Sequence, residues 1–169
     1  MRLSKLFSAL FVVFTLLAQS CGIKYGFTGG SIPEGMKTYT VEFFDNTAPI
    51  VYPTLSQSFT EALKDRIRTQ SNLSQVSADG DAIFEGRITG YSITSAAVEA
   101  GTDRAALNRL SITVAVKYTN NIKPEDSFDA SFTRFKDFAG TVQSQEETLI
   151  RDINQMLTED IFNRAFANW

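Results

Sequence analysis

The chain has 169 residues, with 16 lysines and arginines against 19 aspartates and glutamates, no histidine and one cysteine, Cys21. Without histidine the commonest general base and neutral metal ligand are missing, so Ser-His-Asp and Cys-His centres cannot be assembled. A lone cysteine rules out a disulfide framework and, once acylated, a conventional zinc site, while a net charge of −3 argues against a nucleic-acid partner.

In chain order, Arg2 and Lys5 precede an apolar run from Leu6 to Ala18, interrupted by Ser8 and Thr15. The run is too short to span a bilayer, which takes about 20 residues. It ends in Leu17-Ala18-Gln19-Ser20-Cys21 and resembles a bacterial lipoprotein signal. The resemblance implies that residues 1–20 are a signal peptide and that Cys21 becomes the acylated N-terminus, palmitate being one such acyl group. Each buried CH₂ contributes about 0.8 kcal/mol, so two or three chains hold a protein on a membrane. Residues 21–36, rich in glycine and carrying Pro33, read as a flexible tether. No acidic run follows Cys21, which favours a periplasm-facing location.

Thr38–Phe44 reads as a strand from its β-branched and aromatic content. Asp45–Pro53 is a loop carrying Ile50, Val51 and Tyr52, expected either to be buried under the first helix or to touch a partner, with burial favoured. Thr54 and Gln57 form a capping box for a helix ending near Ser71-Asn72, with Leu55, Phe59, Leu63 and Ile67 on one face. Leu73–Ser77 is a short strand, followed by a turn over 78–81. Along the strand Ala82–Ser95, Phe84, Gly86, Ile88 and Gly90 face one way; Glu85, Arg87, Thr89 and Tyr91 face the other. The glycines mark a close approach by a helix, or a bulge.

A loop over 96–106 carries Glu99 and Asp103. Leu107–Thr119 alternates cleanly, with Leu110, Ile112, Val114, Val116 and Tyr118 inward and Arg109 and Lys117 on the wet side. Phe128–Phe138 places Phe128, Ala130 and Phe132 inward, then Arg134 and Lys136 at the same parity, implying a bulge or the edge of the core. Ser144 and Glu147 form a second capping box for a helix from Gln145 to about Ala167. Phe162, Phe166 and Trp169 fall together on another side of it. They are either a helix end sunk into the core or a second apolar face for a partner. The order of elements predicts a single α+β domain over residues 37–169. It is a two-layer sandwich, with a mostly antiparallel or mixed sheet of about four to five strands and two helices on one face.

Several short motifs run through this chain: Cys21-Gly22-Ile23, Tyr25-Gly26-Phe27-Thr28-Gly29, Ser31-Ile32-Pro33, Phe43-Phe44 with Asn46 and Ala48-Pro49, and Pro53-Thr54-Leu55-Ser56-Gln57 leading into Phe59-Thr60-Glu61-Ala62-Leu63. Phe84-Glu85-Gly86, Ala106-Leu107-Asn108-Arg109-Leu110 and Asp160-Ile161-Phe162-Asn163 follow. In sum the mature chain resembles the lipopolysaccharide-assembly lipoprotein family, in the form found in Bacteroidetes. The resemblance implies an outer-membrane subunit of the lipopolysaccharide translocon. Such a subunit plugs a large β-barrel, helps it assemble and contacts lipopolysaccharide.

The residues themselves offer Arg87, Arg109 and Lys117 on the wet parity, with Arg134 and Lys136 at the break in the last strand, as partners for lipid phosphates. Solubility and edge protection compete as explanations for such charges. The alternative reading is a free-standing periplasmic lipoprotein that binds a lipid or other amphiphile, which predicts a cavity between sheet and helices. A hydrolase is poorly supported, because Glu85, Glu99, Asp103, Glu146 and Glu147 show no pairing. The expectation is no catalytic residue, no metal and no cofactor.

Overall fold

The structure, a computed structural model, describes residues 32–96 and 107–167. The signal peptide, Cys21, most of the tether, Glu99, Asp103 and Trp169 lie outside the described residues. The elements are β1 (Thr38–Val41), β2 (Asp45–Asn46), α1 (Leu55–Gln70), β3 (Ser74–Gln75), β4 (Ala82–Ser95), β5 (Leu107–Asn120), a 3₁₀ turn (Pro124–Asp126), β6 (Phe128–Ala139) and α2 (Glu146–Phe166). They form a mixed six-stranded sheet in the order β3-β1-β4-β5-β6, with β2 also pairing β4. β4, β5 and β6 are antiparallel neighbours, while the β1–β3, β1–β4 and β2–β4 pairs are parallel. This is the α+β architecture that the order of elements predicts.

The clean alternation of β5 decides which face is covered. Leu110, Ile112, Val114, Val116 and Tyr118 are all buried, and so are Leu55, Phe59, Leu63 and Ile67 of α1. Ile150, Ile153, Leu157 and Ile161 of α2 complete the layer.

The strand expected over Thr38–Phe44 is interrupted. Phe44 turns inward, its N–H donating to Thr60 Oγ1 at 3.1 Å and its ring meeting Phe59 edge-on at 5.0 Å. The chain then resumes beside β4 as β2, giving one more strand than the sequence count.

Neither capping box forms. Thr54 lies in the helical region (φ −96°, ψ 0°) and its side chain caps nothing, because the turn already closes through the Leu55 N–H to Tyr52 O bond at 3.1 Å. The second helix starts after Gln145 rather than Ser144, and the Gln145 side chain donates to Ala139 O (2.8 Å) and Thr141 O (3.1 Å). That ties the start of the helix to the end of β6.

The glycines of β4 resolve into a strand approach and a bulge. A Cβ on Gly86 would lie 2.1 Å from Ala115 O and 2.7 Å from the Phe44 ring, so the close neighbours are β5 and Phe44 rather than a helix. The register slips between Ile88 and Gly90, leaving Thr89 as the extra residue. A one-residue insertion reverses which face the following side chains occupy. Tyr91, expected on the wet face, is therefore buried, donates a short hydrogen bond to Glu146, and stacks on Tyr52 at 6.3 Å. Burial, then the Glu146 carboxylate, pushes the Tyr91 phenol well above its ordinary value.

One apolar expectation is corrected, and one pair of alternatives is decided for the core. Ile50 and Val51 are not buried; they stand 57% and 60% exposed, while Ala48 and Tyr52 of that loop pack inward. Phe162 and Phe166 do not form a partner surface, because both are buried, with Phe166 in edge contact with Phe84 and Tyr118 at 6.0 Å each. Helix α2 is wrapped by core on more than one side where it crosses the aromatic end of β4 and β5.

Asp81 pins the start of β1. Its Oδ2 accepts from Lys37 N–H (2.8 Å), Thr38 N–H (2.9 Å) and Thr38 Oγ1 (2.9 Å). The Lys37 amide, then the Thr38 hydroxyl and amide, hold its carboxyl below the usual range. A lowered folded-state value means that the stabilisation is present above the unfolded value of about 3.9 and is lost as pH falls through the folded one. An NMR titration of the Asp81 carboxyl should give a midpoint below about 3.9. A midpoint at or above it would mean that these hydrogen bonds are not held in solution.

Candidate functional site

With both helices on one side, the opposite face of β4, β5 and β6 is left open. Its residues are set by strand parity: Glu85 and Arg87 before the bulge and Ser92 and Thr94 after it; Arg109, Ser111, Thr113, Ala115 and Lys117 on β5; Asp129, Ser131, Thr133, Phe135 and Asp137 on β6. Hydroxyl side chains fill the middle, where Thr113 and Thr133 stand opposite one another and their Oγ1 atoms are 2.9 Å apart.

Cross-strand neighbours sit about 5 Å apart, close enough for opposite charges to pair. The register sets Lys117 opposite Glu85 and Arg109 opposite Asp137, and both pairs form. Arg109 grips Asp137 with Nε and Nη2 at 2.7 and 3.0 Å, and its guanidinium carbon lies 3.7 Å over the Phe135 ring. The Arg109 guanidinium holds the Asp137 carboxyl below the usual carboxylate range. Hydrogen bonding to Glu85 raises the Lys117 ammonium. Arg87 is exposed, stands opposite Asp45 in the β2–β4 register, and makes no ion pair among the described residues.

The five basic residues picked from sequence do not share a face. Arg87, Arg109 and Lys117 lie on the open side. Arg134 and Lys136 lie on the helix side, where Arg134 binds Asp160 (2.5 and 2.6 Å) and Lys136 binds Asp152 (3.1 Å) on α2. No bulge explains their position, for the β5–β6 register is unbroken from Leu107↔Ala139 to Tyr118↔Phe128. They bridge edge strand and helix where the apolar core runs out. Of the carboxylates weighed for hydrolysis, three are among the described residues: Glu85 pairs with Lys117, Glu146 accepts from Tyr91, and Glu147 is exposed.

The arrangement presents a flat hydroxyl-rich surface whose charges are largely neutralised in place. The sequence-based selection did not include Phe135, half exposed beside Arg109; its outward parity in β6 was the available signal. A second concave feature, a groove between the helices, carries Asn154, a buried polar residue that the sequence reading did not single out.

The model of the LptE family, described as lipopolysaccharide-assembly, matches residues 36–165. The chain belongs to this family. No curated protein matches it by sequence. Among solved structures, this LptE-family chain is similar to a minor lipoprotein from Acinetobacter baumannii, at 14% identity over 76% of this chain and 91% of that one, with a TM-score of 0.51. It is also similar to the hypothetical protein CT253 from Chlamydia trachomatis, at 10% identity over 76% of this chain and 95% of that one, with a TM-score of 0.52. At such identities the likeness establishes the fold alone. Family membership gives this LptE-family chain a role in lipopolysaccharide assembly in the cell envelope.

Proposed function

We propose that the protein is a non-enzymatic outer-membrane lipoprotein of the lipopolysaccharide translocon. Acyl chains on Cys21 hold it in the inner leaflet, facing the periplasm. Its folded domain plugs a large β-barrel and assists the assembly of that barrel.

One observation carries this reading. The open sheet face is polar yet brings few unsatisfied charges with it, since Lys117 and Arg109 are already paired with Glu85 and Asp137. The lumen of an outer-membrane barrel is polar, and a surface with prepaired charges enters it at low desolvation cost. Contact with lipopolysaccharide falls first to Arg87, the exposed guanidinium on that face without an ion pair among the described residues. A phosphate reaching Arg109 or Lys117 has to displace a carboxylate, and Arg134 and Lys136 serve the β6–α2 contact. The free-standing amphiphile carrier is less well supported, because large buried side chains fill the space between sheet and helices where its cavity was expected.

A C-terminally tagged chain purified from detergent-solubilised outer membranes should bring down a stoichiometric large β-barrel, identified by mass spectrometry, that survives a high-salt wash. A clean monomer would overturn the plug reading.

A further inference from the structure

The two helices run side by side over the sheet, joined where Arg66 Nη2 donates to Gln155 O (3.1 Å) and Asn154 Nδ2 donates to Ser58 Oγ (3.2 Å). Thr54, Ser58 and Ala62 recur every four residues on the α1 side facing α2, and all are small. Leu55, Phe59 and Leu63, one residue on, point into the core. Small side chains along one helix flank leave a groove of about 510 Å³, lined by Tyr52, Thr54, Ser58 and Ala62 on one wall and Glu147, Ile150, Arg151 and Asn154 on the other. That volume lies in the range of small-molecule sites.

Asn154 is the residue that needs explaining. It is only 2% exposed, and its Oδ1 has no hydrogen-bond partner. In the structure Asn154 Nδ2 donates to Ser58 Oγ, whose own proton goes to Leu55 O (3.1 Å), and this arrangement leaves Oδ1 unpaired among the described residues. The orphan is therefore an acceptor, on a residue that lines the groove. Buried acceptors are nearly always paired in native proteins.

At the rim Arg151 is exposed and makes no ion pair or side-chain hydrogen bond among the described residues. Ile150, Ala62 and the Tyr52 ring supply apolar wall between these groups. Glu147, one turn from Arg151 on the same rim, opposes a second negative charge.

We propose that the groove between the helices binds a single-chain amphiphile with a singly charged anionic head and an adjacent hydrogen-bond donor. The donor pairs with Asn154 Oδ1, the anion with Arg151, and the chain lies along Tyr52, Ala62 and Ile150. The site is on the helix side of the sheet, away from Arg87, and stands independently of the barrel reading. Loss of the barrel from a pull-down and loss of binding in the groove are separate results.

The test uses two small probes that differ by one donor. N-octanoylglycine has a carboxylate beside an amide N–H; N-octanoylsarcosine replaces that hydrogen with a methyl group. Each is titrated calorimetrically into the full chain in lipid nanodiscs, with protein-free nanodiscs as the blank. The glycine form should bind about tenfold more tightly, the usual scale for pairing a buried acceptor. Arg151→Gln should weaken both probes severalfold, and Glu147→Gln should strengthen both. Asn154→Leu should erase the preference for the N–H form.

No binding above the blank, a groove holding only water, would overturn the proposal. Equal affinity for the two probes, or a preference that persists in Asn154→Leu, would overturn it as well. If Asn154→Leu fails to fold, the comparison of probes on the unaltered chain and on Arg151→Gln, an exposed position, still decides.

Discussion

Phe166→Ala should cost about 3–5 kcal/mol of folding stability, the range for removing a fully buried aromatic ring. Phe166 is 1% exposed. Its ring lies 6.0 Å from Phe84 of β4, 6.0 Å from Tyr118 of β5 and 5.0 Å from Phe162 one turn back, each in edge-to-face geometry. Tyr118 in turn tilts against Phe84 and Phe128, so a single ring closes a cluster that joins the last turn of α2 to three strands. Rigid rings on opposing strands cannot collapse into the space left behind, and the cavity term adds to the lost transfer energy. Asn163→Ala, at an exposed position on the same turn, should change stability by less than about 0.5 kcal/mol. Urea denaturation of the three proteins makes the comparison. A loss below about 1 kcal/mol for Phe166→Ala would return these aromatics to the role of an interaction surface, where truncation weakens a partner and leaves the fold alone.

That ring also shows where sequence reading reaches its limit. Phe162 and Phe166 lie off the main apolar stripe of α2, and a stripe calculation treats anything off it as surface or as a second face. Whether such a side is covered depends on what crosses it. Here Phe84 of β4 and Tyr118 of β5 meet the helix end, a tertiary contact that no single segment encodes. The alternation of Leu110 through Tyr118 was legible because it depends on one strand with one buried face. The α1 stripe was legible for the same reason. Tyr91 was not, because the bulge at Thr89 exchanges faces after the pattern has been read.

The charged residues illustrate a different limit. Arg109 and Asp137 are 28 positions apart, and Lys117 and Glu85 are 32 apart, so their pairing follows only from register. Sequence could place Arg109 on the wet side; it could not show that the charge is already matched. Asn154 is the sharpest case. No sequence pattern singles it out, and the unpaired Oδ1 that gives it interest follows from how it packs against Ser58.

Gly86→Ala should destabilise the protein by about 3 kcal/mol, at the upper end for forcing atoms into a packed interior. The added methyl would lie 2.1 Å from the carbonyl oxygen of Ala115 and 2.7 Å from a ring carbon of Phe44. A backbone oxygen in a sheet ladder cannot swing aside like a side chain, and β4 is held on its other edge by β1 and β2. Relief therefore requires β4 and β5 to part, at the centre of the pairing on which the open face depends. Gly90→Ala is the internal control, because its methyl would lie 3.1 Å from Cβ and Oγ1 of Thr113 and 3.7 Å from the Thr113 backbone nitrogen. A local shift of a few tenths of an ångström relieves those contacts, so the expected cost is nearer 1 kcal/mol. Thermal or urea unfolding should rank Gly86→Ala well below Gly90→Ala in stability. Equal losses would mean that the strands separate freely at Gly86 and that the β4–β5 register before the bulge is softer than its pairing from Ala82 to Ile88 implies. The consequence reaches function. Glu85 and Arg87 flank Gly86 on the open face, so a parted ladder breaks the Glu85–Lys117 pair. It would also shift Arg87 against Asp45, the surroundings of the cation placed first for lipid phosphate.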